Sequence, residues 1–288
     1  MNVVFFGNTK FSLIGARIIH EKLGLSHIVT LPDRPDKRGR MKPNPLKIFA
    51  QEKNIPFLTI DKIDKETISY LSTIHADFFI VEDYGLILPQ ALLDLPKFTS
   101  LNIHHSLLPK YRGPSPAPFA ILAGDTVTGV TVIKMAKNVD AGDILAQKQY
   151  DMKPEETTES LLTILNQLGG EIIIPVIENY ASMTPQLQDN SSATYTKMIT
   201  KEDGYIDLSK QETLNPVDID RKIRAYFPWP TVWTKWEMPN GKWKIIKFLP
   251  KDKLQVEGKN PVSSKDFFNG YPQMREKFSI FFNSIKNK

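Results

Sequence analysis

The first thirty residues read strand, helix, strand, and no other feature limits the fold as tightly. Residues 2–6 (NVVFF) are a short apolar run that ends at Gly7. A helical segment covers about 11–23, and a second apolar run covers 27–29. Two strands joined through a helix pair in parallel, because a hairpin turn cannot make that connection. The spacing therefore predicts a βαβ unit and a doubly wound, mostly parallel α/β sheet. The pattern continues with helices at about 45–54 and 64–73 and strands at 77–82 and 99–103. Ser115 reads as an N-cap, Pro116 as the first helical residue and Gly124 as the stop. Runs at about 128–135 and 144–150 read as paired strands, followed by a long helix at about 158–180, bent near Pro175.

A composition shift then divides the chain. Residues 186–197 (QLQDNSSATYTK) are polar and aperiodic. We expect a first domain over 1–185, a linker over 186–202 and a smaller domain over 203–288. The smaller domain opens with a helix at about 216–226 and continues with strand-like runs at 231–236, 243–248 and 253–256, with a turn at Pro239-Asn240-Gly241. A small β-barrel is the expected form. Trp229, Trp233, Trp236 and Trp243 are expected in its core.

Several function classes are excluded or left without support. The chain has no cysteine, which removes disulfides, zinc–thiolate sites and cysteine nucleophiles. No eighteen-residue apolar run is present and the N-terminus lacks a basic leader, so neither a membrane span nor a signal peptide is expected. The segment GNTKFSLIG after the first strand is not a G-x-G-x-x-G fingerprint, which argues against a nicotinamide cofactor. No metal-ligand spacing is visible, and no metal is expected. The formal charge of +5 permits a polyanionic partner without requiring one.

The chemistry concentrates in residues 102–143. Asn102 and His104 stand two apart at the end of a strand, so they share one face while Ile103 takes the other. Asp140 follows in DAGD. An amide, an imidazole and a carboxylate converging on one point can run acyl transfer, as oxyanion donor, general acid–base and orienting group. Any one of these alone would be an ordinary turn residue. A second feature is the Pro-restrained loop 32–47, whose Arg34, Lys37, Arg38, Arg40 and Lys42 suit phosphate contacts.

The whole string resembles a known signature. N-x-H-x-SLLP, then RG, GD-x-x-TGVT and DAGD are similar to the 10-formyltetrahydrofolate-dependent formyltransferases, and TLPDRPDKRG and IRAYFPWP resemble the methionyl-tRNA formyltransferase branch. The resemblance implies a Rossmann-like catalytic domain with a shortened OB-like domain behind it. It implies transfer of a formyl group from 10-formyltetrahydrofolate to the α-amine of methionyl-tRNA by Asn102, His104 and Asp140. It assigns folate contacts to Tyr84, Gly85, Leu86 and Ile87, to Ser106, Leu107, Leu108 and Pro109, and to Asn138 and Val139. It assigns tRNA contacts to Arg34, Lys37, Arg38, Arg40 and Lys42. A cytoplasmic monomer is expected, with no membrane partner. Asp83 and His105 depart from the family pattern. His105 is read as packing or surface, pointing away from His104. The alternative is a sugar-nucleotide N-formyltransferase using the same donor. A third reading is an inactive RNA-binding module on the same fold.

Overall fold

The computed structural model describes residues 1–36, 39–209, 215–238, 241–275, 278 and 281. The chain forms two compact units. The first holds residues 1–116, 127–151 and 162–195, and the second holds 117–126, 152–161 and 196–288. Residues 186–195, expected as linker, thus belong with the first unit, and two short insertions of the catalytic half belong with the second.

The elements run β1 (Val3–Gly7), α1 (Ser12–Leu23), β2 (His27–Thr30), β3 (Arg34–Pro35), β4 (Met41–Lys42), α2 (Pro45–Glu52), β5 (Phe57–Thr59), α3 (Lys65–Ser72), β6 (Phe78–Glu82), α4 (Gln90–Leu93) and β7 (Thr99–His104). They continue through α5 (Pro116–Ala123), β8 (Val127–Lys134), β9 (Ile144–Asp151) and α6 (Thr158–Glu178). The large sheet has the order β5-β2-β1-β6-β7-β8-β9. Strands β5 to β7 pair in parallel, and β8 and β9 close the sheet antiparallel.

Alternation along the strands builds two cores. Val3, Phe5, Ile80, Leu101 and Ile103 face α1, α2 and the second half of α6, where Ala16, Ile19, Phe49, Ile173 and Val176 meet them. Val4, Phe6, Phe79 and Val81 face the other way, onto Leu71, Leu92 and Leu93. This is the period-two pattern of strands buried on both faces. α6 is long and apolar enough to cross a membrane by length and composition. Its Ile173, Val176 and Ile177 sit in the sheet core, which accounts for that apolarity.

The strand order reverses at β1. The chain steps outward through β2 and β5, then returns to β6 on β1's other side. Ligands of open α/β sheets bind beyond the carboxyl ends of the strands at such a switch. Those ends here are Gly7, Glu82 and His104.

In the second unit, α7 (Pro216–Ala225) precedes a four-stranded antiparallel sheet of β10 (Val232–Glu237), β11 (Trp243–Leu249), β12 (Lys253–Val256) and β13 (Val262–Ser263), in chain order, and α8 (Ser264–Gly270). Asn215 caps α7 by accepting the Val217 N–H at 2.9 Å. Trp233 and Trp236 are buried as expected, but Trp229 and Trp243 are 59% and 63% exposed. Trp243 pairs with Glu237 on an outward-facing side of the sheet, which is why composition misplaced it. Pro239 and Asn240 of the expected turn lie outside the described residues.

Candidate active site

Strand β7 delivers the two predicted side chains together. Its Asn102 is level with Val81 on β6 and Ile133 on β8, and His104 is level with Thr131. Ile103 between them is 2% exposed and belongs to the core. The hairpin between β8 and β9 brings Asp140, in a left-handed conformation with φ 51. Asn102 Nδ2 donates to Asp140 Oδ1 at 3.4 Å, and His104 Nδ1 lies 3.6 Å from Asp140 Oδ2. Three residues up to 38 positions apart therefore converge.

The imidazole is oriented by a group that sequence reasoning missed. His104 Nε2 lies 2.9 Å from the Tyr111 carbonyl. A carbonyl only accepts, so Nε2 carries a proton in either charge state. Nδ1 is then the nitrogen that gains or loses a proton. At 3.6 Å from Asp140 it makes no proper hydrogen bond, yet it sits well within the carboxylate's field. Burial holds the His104 pKa below its ordinary 6.5, against the pull of Asp140 and the Tyr111 carbonyl. At neutral pH His104 is a neutral base whose conjugate acid would meet a carboxylate.

Asp140 is fixed from two sides. The Gly113 N–H donates to Oδ2 at 2.7 Å. Gln188 Nε2 donates to the Asp140 carbonyl at 2.8 Å and to the Gly142 carbonyl at 2.7 Å. Gln188 Oε1 in turn accepts from Arg112 Nη2 at 2.8 Å, and Arg112 is 3% exposed. Thr194 completes the frame. Its hydroxyl accepts the Tyr111 N–H at 2.8 Å and its carbonyl accepts the Arg112 N–H at 2.8 Å. The polar stretch after residue 185 is thus a strap across the loop that carries Tyr111, Arg112 and Gly113.

The expected folate residues divide by placement. Ser106 is buried, and its hydroxyl donates to the Lys110 carbonyl at 2.6 Å. Leu108 packs on Ile133 and Ile144, and its N–H donates to Thr131 Oγ1 at 3.1 Å. These two side chains build the loop. Leu107 and Pro109 are half-buried beside them. Tyr84 is 2% exposed, packs edge-on against Phe6 and has a buried hydroxyl with no partner among the described residues. Burial pushes its pKa up. Gly85 takes φ 92, which lets the chain leave β6 through a tight turn. Leu86 is half-buried, while Ile87, Asn138 and Val139 are exposed.

The basic loop is a hairpin of β3 and β4, with Arg34 opposite Lys42. Arg34, Arg40 and Lys42 are exposed, and Arg40 chelates Asp36 at 2.9 and 3.0 Å. Lys37 and Arg38 lie outside the described residues. The base of the hairpin is anchored at the carboxyl edge of the sheet. Asn44 Nδ2 donates to Asn8 Oδ1 at 2.8 Å, and Lys47 pairs with Asp33 at 2.7 Å.

Residues 1–177 match the formyl transferase family and residues 198–253 match its C-terminal domain. The chain belongs to the formyltransferase family. A methionyl-tRNA formyltransferase of Chloroflexus aurantiacus is 41% identical to this formyltransferase over 244 residues, covering 82% of this chain and 76% of that protein. One from Dehalococcoides mccartyi is 33% identical over 304 residues, covering 94% and 95%. Among solved structures, the methionyl-tRNA formyltransferase of Clostridium thermocellum superposes with a TM-score of 0.62 at 18% identity, over 91% of this chain and 99% of that one. A Shewanella sugar N-formyltransferase gives 0.64 at 16% identity, over 87% and 98%. HypX from Aquifex aeolicus, solved with tetrahydrofolic acid, gives 0.61 at 15% identity, over 93% of this chain and 47% of that one. These likenesses establish the fold.

Proposed function

We propose that this formyltransferase moves the formyl group of 10-formyltetrahydrofolate to the α-amine of methionyl-tRNA. The observation that carries the proposal is the convergence of Asn102, His104 and Asp140 at the carboxyl end of β7, in a chain 33% identical over 94% of its length to a methionyl-tRNA formyltransferase.

The residues fit the chemistry. The amine nitrogen attacks the formyl carbon, and the carbonyl oxygen becomes an oxyanion. The Asn102 amide is the donor for that oxygen, since its contact to Asp140 at 3.4 Å is weak and engages only one of its two N–H groups. His104 Nδ1 takes the proton that the attacking amine loses. Asp140 stabilises the imidazolium so formed. Collapse breaks the bond from carbon to N10 of the folate, and the proton passes from His104 to that nitrogen. One C–N bond forms, one breaks, and one proton moves from amine to leaving group. Main-chain groups of Tyr84–Ile87 and Ser106–Pro109 line the folate site, with Asn138 and Val139 at its rim. Arg34, Arg40 and Lys42 contact tRNA phosphates from the hairpin that rises off the same sheet edge, and Lys37 and Arg38 share that role.

The test offers three acceptors side by side with labelled 10-formyltetrahydrofolate: methionyl-tRNA, an amino-sugar nucleotide, and none. Label transferred to methionyl-tRNA supports the proposal. Label transferred only to the sugar nucleotide replaces it with the sugar-nucleotide reading, and no transfer to either leaves an RNA-binding module.

A further inference from the structure

Directly behind the catalytic pair lies a second cluster of ionisable groups that the reaction does not use. His105 follows His104 and is 4% exposed at its side chain. Its Nε2 lies 3.3 Å from Oε1 of Glu82, whose side chain is fully buried, and its Nδ1 lies 3.5 Å from Oδ1 of Asp83. A neutral imidazole has one N–H and would turn a lone pair toward one of these carboxylates. With both carboxylates ionised, only the imidazolium offers a proton to each. The seat is shaped for the glutamate. A β-carbon at Gly15 of α1 would collide with the Glu82 carboxylate, and one at Gly169 of α6 would lie 3.1 Å from its Oε1.

We propose that His105 is a positioning residue: a buried cation that bridges Glu82 and Asp83 and so fixes the Tyr84–Ile87 loop against the strand end that carries Asn102 and His104. The chain leaves β6 through Asp83, at φ 49, and Gly85, at φ 92. Asp83 is not glycine, so its left-handed turn is held by side-chain bonds. Thr9 Oγ1 donates to Asp83 Oδ2 at 3.3 Å, Asn166 bonds to the same carboxylate, and His105 supplies the charge. β6 and β7 are neighbours in the sheet, and the His105 bridge extends their pairing past the last hydrogen-bonded rung at Val81 and Asn102.

The electrostatics agree with the geometry. Burial opposes charge on His105, but Asp83 and Glu82 outweigh it and raise its pKa to about 10. Burial raises Glu82 to about 7, against the pull of His105. Burial would also raise Asp83, yet His105, Thr9 and Asn166 outweigh it and hold its pKa below the ordinary carboxylate value. The groups that act on His104 are Asp140 and the Tyr111 carbonyl from the loops, and His105 and Asp83 from the strand ends. The His105 cation helps to keep His104 neutral and ready to act as a base.

This inference rests on the reading of 84–87 as the folate loop and of His104 as the base. Its test uses the full chain in two variants, His105→Gln and the double variant Glu82→Gln/His105→Gln, which removes both charges of the buried pair and remains informative should the single variant not fold. Two quantities are read without any acceptor. One is the dissociation constant for tetrahydrofolate, and the other is the titration midpoint of the His104 ring followed by NMR in the free protein. Both variants are expected to bind tetrahydrofolate about fivefold or more weakly, because the loop loses its support. The His104 midpoint is expected to move to higher pH, because a neighbouring cation is gone. A role in packing alone would leave that midpoint in place. Asp83→Asn is expected to weaken folate binding likewise but to move the midpoint down, having removed an anion. Folded variants with wild-type folate affinity and an unmoved midpoint would overturn the inference. A wild-type protein that fails to bind tetrahydrofolate would instead overturn the proposed function, while the midpoint would still decide the role of His105.

Discussion

Asp140 Oδ2 lies 3.6 Å from His104 Nδ1 while it accepts the Gly113 N–H at 2.7 Å. The carboxylate is thus held by backbone, and the imidazole is held by the Tyr111 carbonyl. Neither depends on the other for its position. Asp140 acts on His104 through its charge, which matters once the ring takes a proton.

Asp140→Asn is therefore expected to fold and to lose at least about a hundredfold in kcat, the order seen when a preorganised electrostatic group is removed. The direction of its pH effect follows from the causes acting on His104. Burial holds the His104 pKa down and Asp140 opposes that. Removing the opposing charge lowers the pKa further, so the acid limb of residual activity moves to lower pH. His105→Gln is expected to move the same limb the other way. Parallel pH–rate profiles of the two variants check both directions, and movement to the same side would contradict the assignment.

Gln188→Leu and Thr194→Ala are expected to lower kcat about tenfold or more with smaller effects on KM, because each loosens the frame around Asp140 and Tyr111 without touching the reacting atoms. Steady-state kinetics with both substrates varied reads the split. A chain ended at Ser192 would lack Thr194, so its loss of activity would report on this strap as well as on the second unit.

These supports explain how far the sequence could be read. The spacing of Asn102, His104 and Asp140 was visible because strand alternation puts the first two on one face and DAGD is a turn. The βαβ order and both antiparallel strands were visible because apolar runs alternate with helical periodicity. The Tyr111 carbonyl and the Gly113 N–H were not, since every residue carries such backbone groups and only the fold selects two of them. Gln188 and Thr194 lie in a polar, aperiodic stretch that reads as linker, and their contacts are 48 and 83 residues away. β3, β4 and β13 have two residues each and β5 has three, too few to show a period. His105 was read as packing or surface because it alternates away from His104. The structure shows where it goes: between the buried Glu82 at the end of β6 and the half-buried Asp83 that follows it.

The hairpin offers a prediction that separates charge from contact. Arg40 is already engaged by Asp36, whereas Arg34 and Lys42 face each other on exposed strands. The double variant Arg34→Ala/Lys42→Ala is expected to reduce the log–log salt slope of tRNA binding by up to about two, at about 0.7–0.9 per lost phosphate contact. Tetrahydrofolate affinity should stay at the wild-type value. Binding isotherms at several salt concentrations check this, and an unchanged slope would remove the hairpin from tRNA recognition.

The buried glutamate gives a stability prediction. The folded-state pKa of Glu82 stands near 7, above its ordinary 4.5. The folded state therefore holds that proton more tightly, and the resulting stabilisation is full below about 4.5 and lost as pH rises through about 7. Glu82→Gln has no such proton to lose. Relative to wild type, its unfolding free energy is expected to improve between pH 5 and pH 8. Urea unfolding at both pH values measures this, and a constant difference would contradict the assigned burial.

The most direct test of the whole account is single-turnover formyl transfer from 10-formyltetrahydrofolate to methionyl-tRNA, with both saturating, by the wild-type chain and by Asn102→Ala and His104→Ala. Formyl-methionyl-tRNA is expected from the wild type, with rates lower by about a hundredfold or more in each variant, the order expected for loss of an oxyanion donor or of the general base. Absence of product from the wild type, or near-equal rates in all three, would contradict it.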